Sequence, residues 1–181
     1  MKYPVCLVVN GREVRREVDA RTLLVDFLRE ELGLTGTHVG CDASVCGACT
    51  VLLDGMAVKS CTYLAVQADG RSVTTLEGLA AAARRQGTAT SGGRHPVQEA
   101  LAAGRALGCG FCAPGRVLSL AQAQEAVGRP SRKALEAALA GALCRCLAPQ
   151  ASTEALRRGP GGSGGDSQRP RDSQRPGGGS Q

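Results

Sequence analysis

Nine cysteines in 181 residues, eight of them in two sets of four, constrain this chain more than any other feature. The first set is Cys41-x4-Cys46-x2-Cys49, followed after eleven residues by Cys61. The second is Cys109-x2-Cys112 and, thirty-one residues on, Cys144-x-Cys146. The N-terminus, Met1-Lys2-Tyr3-Pro4, lacks the apolar core of a secretory signal. No apolar run approaches the ~18–20 residues of a membrane span. The expected compartment is therefore the cytoplasm, where thiols are kept reduced. There the cysteines read as metal ligands, catalytic thiols or buried fillers rather than disulfides. A catalytic thiol needs one activated cysteine beside a basic partner, not four together.

Three ligands on one loop can wrap a cluster, with a fourth supplied from the end of a later hairpin strand. The spacing of Cys41, Cys46, Cys49 and Cys61 is that of plant-type [2Fe–2S] ligation. Structural zinc sites prefer two Cys-x2–4-Cys pairs, which this triplet fits poorly. Gly40 and Gly47 flank the ligands, where side chains would crowd inorganic sulfide and free amides can hydrogen-bond to sulfur. Taken alone, the two close pairs Cys109/Cys112 and Cys144/Cys146 could hold either zinc or a cluster. Cys-x-Cys is uncommon for zinc, and both pairs fall at expected helix ends, where N-termini favour thiolates. Cys6, between Val5 and Leu7, reads as a buried apolar residue of a strand. A Rieske-type site would need two histidines at one cluster, so His38 reads as structural and His95 as a helix-start residue.

Charge argues in the same direction. The net charge is +6, of which Arg169, Arg171 and Arg175 against Asp166 and Asp172 leave +1 in residues 159–181 and +5 in residues 1–158. An oxidised four-thiolate [2Fe–2S] cluster carries a formal charge of about −2, so two clusters bring the folded part to about +1. The basic excess is compensation for clusters rather than a nucleic-acid patch. With two Tyr, two Phe and no Trp, the chain also lacks the stacking platforms of single-strand binders.

The expected fold class is α+β. In residues 1–76, Val5–Val9, Asn10-Gly11 and Arg12–Val18 read as a hairpin. Thr22 is expected to cap a helix with Leu24, Phe27, Leu28 and Leu32 on one face, ending near Gly33. Thr50–Leu53, Asp54-Gly55 and Met56–Ser60 read as a second hairpin, and Ser72–Leu76 as a last strand. A helix crossing such a bent mixed sheet is a β-grasp. Residues 77–158 turn helical: Pro96 opens one helix, Pro114 to Val127 forms another, and Ser131 caps Arg132–Leu139, giving a compact bundle. Residues 84–94 read as a surface loop. Residues 159–181, with a twice-seen Asp-Ser-Gln-Arg-Pro unit and no apolar side chains, read as a disordered tail.

Leu32–Cys61, LGLTGTHVGCDASVCGACTVLLDGMAVKSC, resembles the first cluster segment of the small iron–sulfur subunits of the molybdenum hydroxylase (xanthine oxidase) family. The stretch from Cys41 to Gly70 is most similar to its carbon monoxide dehydrogenase branch. GCGFCAPG (Gly108–Gly115) and GALCRC (Gly141–Cys146) resemble the family's second cluster elements. The resemblance covers residues 3–146. It implies a β-grasp [2Fe–2S] ferredoxin domain followed by a helical-bundle [2Fe–2S] domain. Cys41, Cys46, Cys49 and Cys61 would bind the flavin-facing cluster, and Cys109, Cys112, Cys144 and Cys146 the cluster facing the molybdenum cofactor. It further implies an electron-transfer subunit with no catalytic residues of its own. The partners implied are a large molybdopterin-binding subunit and a medium FAD-binding subunit, assembled as a dimer of heterotrimers. The alternative is a stand-alone ferredoxin-like carrier or interaction module. Departures from the family pattern are Gly108 for Gln, Ala113 for Thr, Ala142 for Asn, and Leu147-Ala148-Pro149 for Thr-Gly-Tyr, all at the expected pterin-facing surface.

Overall fold

The computed structural model describes residues 1–159; the expected tail, residues 159–181, lies outside the described residues from residue 160 onward. The chain opens with two eight-residue strands, β1 (Lys2–Val9) and β2 (Arg12–Asp19), paired antiparallel. Their turn has Asn10 at φ 54° and Gly11 at φ 83°, the two left-handed residues of a type I′ hairpin. The second hairpin repeats the device: β3 (Thr50–Leu53) and β4 (Met56–Lys59) are joined by Asp54 and Gly55, both at positive φ. β5 (Ser72–Thr74) enters between the hairpins, parallel to β1 and antiparallel to β3, giving a mixed sheet of order β2-β1-β5-β3-β4.

Strand alternation sends Val5, Leu7 and Val9 to one face, where they meet Val18, Val51, Leu53 and Val73. Leu24, Phe27 and Leu28 cover that face from the crossing helix. Cys6, expected to be buried with them, lies on the opposite side of the strand and is half-exposed. The crossing helix is also not the regular one expected. α1 spans only Leu24–Asp26 and continues as a π-helical turn over Phe27–Glu31. Thr22 does not cap it. Leu23 occupies the cap position, and the Leu24 amide is satisfied by the Tyr63 carbonyl at 2.6 Å. The widened turn lets Phe27 and Leu28 both sit fully buried against the sheet.

The second half is helical: α2 (Leu76–Arg85), α3 (Pro96–Ala103), α4 (Ala113–Val127), α5 (Arg132–Leu139) and α6 (Pro149–Arg158). α2 takes the place of the end of the expected last strand and of the start of the expected 84–94 loop. β5 stops at Thr74 because the Asn10 side chain captures Thr75, accepting its backbone N–H at 2.9 Å and donating to its hydroxyl at 3.0 Å. Ser131 caps α5 as expected, accepting from the Ala134 amide at 3.2 Å. His95 caps α3 through its ring nitrogen, which accepts from Val97 at 3.2 Å. α4 packs against α2, α3 and α5, and α6 closes on α3 and α5. This second core is not confined to the helices: Leu52, on the outer face of β3, packs into it beside Leu101, Leu118 and Leu120. One central strand therefore serves both cores.

Candidate metal centres

Cys41, Cys46 and Cys49 lie on the long loop between the π-helical turn and β3. Cys61 sits in a single 3-10 turn, Ser60–Thr62, directly after β4. Cys49 and Cys61 are 1 % and 3 % exposed, with Cys41 packed against them and Val25 beneath. Backbone amides serve the sulfur of Cys41. The N–H of Cys46 donates to it at 3.3 Å, and those of Ala43 and Val45 add to the effect. The Cys46 amide is the largest cause, and the Cys41 pKa is lowered from 9.0 to about 6. Cys49 moves the other way: burial pushes its thiol up to about 11.

The second set gathers at the base of α4. Cys112 caps that helix, Cys109 lies on the preceding loop, and Cys144 and Cys146 lie between α5 and α6. Cys109 stands against Cys146, and Cys112 against Cys144, close enough for each pair of thiols to act on one another. The Phe111 amide, then Cys146, holds the Cys109 pKa below its usual value. Burial raises that of Cys112. At Cys144 burial also pushes upward, but it is outweighed. The Leu147 amide at 3.4 Å, the Cys112 thiol, the Cys146 amide and the charge of Arg116 together keep that pKa low.

This donor set fits [2Fe–2S] clusters. All eight cysteines are free thiols, and they meet as sulfur pairs, as two irons with two thiolates each require. Among the described residues no three His, Cys, Asp or Glu side chains converge on the single point one ion would occupy. Amides aimed at sulfur favour the thiolate form that cluster ligation needs. His38 is not part of either set. Its Nδ1 lies 2.7 Å from the Phe111 carbonyl, and its ring stacks on Phe111 with centroids 5.3 Å apart.

The two ligand loops touch. The Leu143 amide, next to Cys144, donates to the Cys46 carbonyl at 2.9 Å. Lys59 straddles the junction, its Nζ donating to the carbonyls of Ser44 at 3.0 Å and Gly141 at 2.8 Å. Backbone packs on backbone here. A Cβ on Gly47 would overlap the Gly141 carbonyl, and one on Gly115 would overlap the Gly47 carbonyl. Gly47 was expected to make room for inorganic sulfide; what its missing side chain admits is the second helical loop. Sequence reasoning missed Lys59, Gly115, Arg116 and Leu143 altogether, because nothing local marks a residue that matters only when two loops meet.

Two family descriptions match in tandem: a 2Fe-2S iron-sulfur cluster binding domain over residues 7–80 and a [2Fe-2S] binding domain over residues 75–157. Caffeine dehydrogenase subunit gamma of Pseudomonas sp. (strain CBB1) is 44% identical over 158 residues, covering 86% of this chain and 89% of that protein. Nicotine 6-hydroxylase small subunit of Paenarthrobacter nicotinovorans is 44% identical over 153 residues, covering 84% and 87%. The crystal structure of quinoline 2-oxidoreductase from Pseudomonas putida 86 superposes with a TM-score of 0.75 at 35% identity, covering 86% of this chain and 90% of that one. Paired thiols, tandem cluster domains and near full-length relatives agree: the chain belongs to the small iron–sulfur subunits of the molybdenum hydroxylases.

Proposed function

We propose that this chain is the electron-transfer subunit of a heteromeric molybdenum-containing dehydrogenase, relaying single electrons from a molybdopterin cofactor in a large partner subunit to FAD in a medium one. Residues 1–76 are then a β-grasp domain whose Cys41, Cys46, Cys49 and Cys61 hold one [2Fe–2S] cluster. Residues 77–158 are a helical-bundle domain whose Cys109, Cys112, Cys144 and Cys146 hold the other. Each cluster, when bound, accepts and returns one electron at a time. The assembly is a cytoplasmic dimer of heterotrimers. No helix among the described residues is long and apolar enough to cross a membrane.

One observation carries the reading: the hydrogen bond from Leu143 to the Cys46 carbonyl, which puts the two ligand sets one hydrogen bond and one peptide unit apart. The chain's own residues build that short bridge, with Lys59 and the glycine contacts holding the two loops together. The other work of the protein is burial and amide hydrogen bonding at sulfur. Val39, Val45, Phe111 and Leu143 are 45–58% exposed around the same two loops and form an apolar rim suited to burial against a partner subunit. A stand-alone carrier is not favoured, since the relatives are subunits of larger enzymes.

The test is anaerobic purification followed by metal analysis and electron paramagnetic resonance. About four iron and four acid-labile sulfide per chain are expected, with two reduced-cluster signals. Cys41→Ser and Cys144→Ser should each remove a different one. Stoichiometric zinc without sulfide would overturn the reading, as would loss of both signals in either variant. With the partners present, substrate should reduce both clusters only when the large subunit is included.

A further inference from the structure

Arg116, in the first turn of α4, is 2 % exposed and belongs to no ion pair among the described residues. Its Nη2 donates to Ser152 Oγ at 2.7 Å and, more weakly, to the Ala148 carbonyl at 3.5 Å. Its Nε and Nη1 are fully buried with no partner. A guanidinium does not give up its proton, so this is a permanent positive charge held out of water without a counter-ion. Such a charge costs far more than the bonds to Ser152 and Ala148 return. Its surroundings say what offsets that cost. Arg116 stands close enough to Cys112 and Cys144 for its charge to act on both thiols. With Cys144 and Cys146 it lines a cavity of about 440 Å³. No carboxylate occupies that lining.

We propose that Arg116 is the counter-charge of the second cluster, a buried cation set against Cys112 and Cys144 that raises this cluster's reduction potential selectively. The inference rests on reading Cys109, Cys112, Cys144 and Cys146 as cluster ligands. The redox step is simple: one electron enters the cluster, no bond forms at Arg116, and the guanidinium keeps its proton. The added negative charge is stabilised by a fixed positive charge in a medium that screens it little. Among the described residues the first ligand set has no equivalent buried cation: Lys59 beside it is half-exposed and donates to two carbonyls.

Redox titration of the purified iron-loaded chain, followed by electron paramagnetic resonance, separates this from a purely structural role. Arg116→Gln should lower the second cluster's reduction constant at least tenfold, a shift of 59 mV for one electron, and leave the first cluster unmoved. Arg116→Lys keeps the charge and should retain most of the potential. Ser152→Ala removes the structural partner alone and should leave both potentials in place. An unshifted second cluster in Arg116→Gln, or equal shifts of both clusters, would overturn the inference while leaving the cluster assignment intact. Should Arg116→Gln fail to hold the second cluster, Arg116→Lys decides: loading at the native potential supports the charge role, and failure to load makes the fork to Ser152 the function and overturns it. A native chain with no second cluster overturns the ligand reading itself, and the inference with it.

Discussion

Replacing Gly47 by alanine should do more damage than its size suggests, and a set of three glycines shows why. Gly55 sits at φ 81° in an open turn with nothing within 4 Å of an added Cβ. Gly55→Ala therefore suffers only the left-handed backbone strain of about 1–2 kcal/mol. Gly115 has the reverse problem. It is helical, where alanine is worth up to about 1 kcal/mol, but its Cβ would overlap the Gly47 carbonyl. Gly47, at φ 75°, combines both, since its Cβ would overlap the Gly141 carbonyl. Relieving that overlap parts the loops and breaks the bonds from Leu143 to Cys46 and from Lys59 to Gly141. Two such bonds contribute about 0.5–1.5 kcal/mol each, beyond the left-handed strain of about 1–2 kcal/mol that Gly55→Ala also carries. Gly47→Ala should thus lose about 2–5 kcal/mol. At about 2–4 °C per kcal/mol for a chain of this size, its thermal midpoint falls by roughly 4–20 °C, against about 2–8 °C for Gly55→Ala. Gly115→Ala should also lose stability, although helix propensity favours it. Equal losses at positions 47 and 55, or a stabilised Gly115→Ala, would refute the claim that close approach of the two ligand loops is what these glycines provide.

Other outcomes follow from the same contacts. In iron-free protein, alkylation of Cys41 should rise with pH to half its maximum near 6, while Cys49, pushed up to about 11, stays unreactive at neutral pH. The signs for stability are opposite. What Cys41 lends is present above its ordinary 9.0 and lost as pH falls through about 6, whereas what Cys49 lends is present below 9.0 and lost as pH rises through about 11. His38→Ala removes a 2.7 Å hydrogen bond and a stacked ring, about 1–2 kcal/mol together, yet iron content should not change. Loss of half the iron in that variant would make His38 a ligand. Gly108→Gln, the change toward the family pattern, should destabilise on its own. Gly108 lies at φ 61°, and an added Cβ would stand 2.8 Å from Cys146 Cβ. A higher thermal midpoint in that variant would show that this loop adapts freely.

The spacing of eight cysteines and the dipeptides Asn10-Gly11 and Asp54-Gly55 were sufficient, as sequence, to indicate iron–sulfur chemistry and both hairpins. These are local matters. Ligands must sit within one loop's reach of a cluster, and a two-residue turn chooses its own φ angles. The cap at Ser131 and the helix start at His95 were legible for the same reason, each being settled within one helical turn. Thr22 failed as a cap because a distant carbonyl, that of Tyr63, had already taken the amide it would have served. Cys6 turned outward because strand alternation gave the inner face to Val5 and Leu7. What Gly47 is for, why Lys59 and Leu143 matter, and where the Arg116 charge is buried depend on residues 36 to 97 positions apart meeting in space. Only the folded chain, with β3 shared between two cores, brings those partners together.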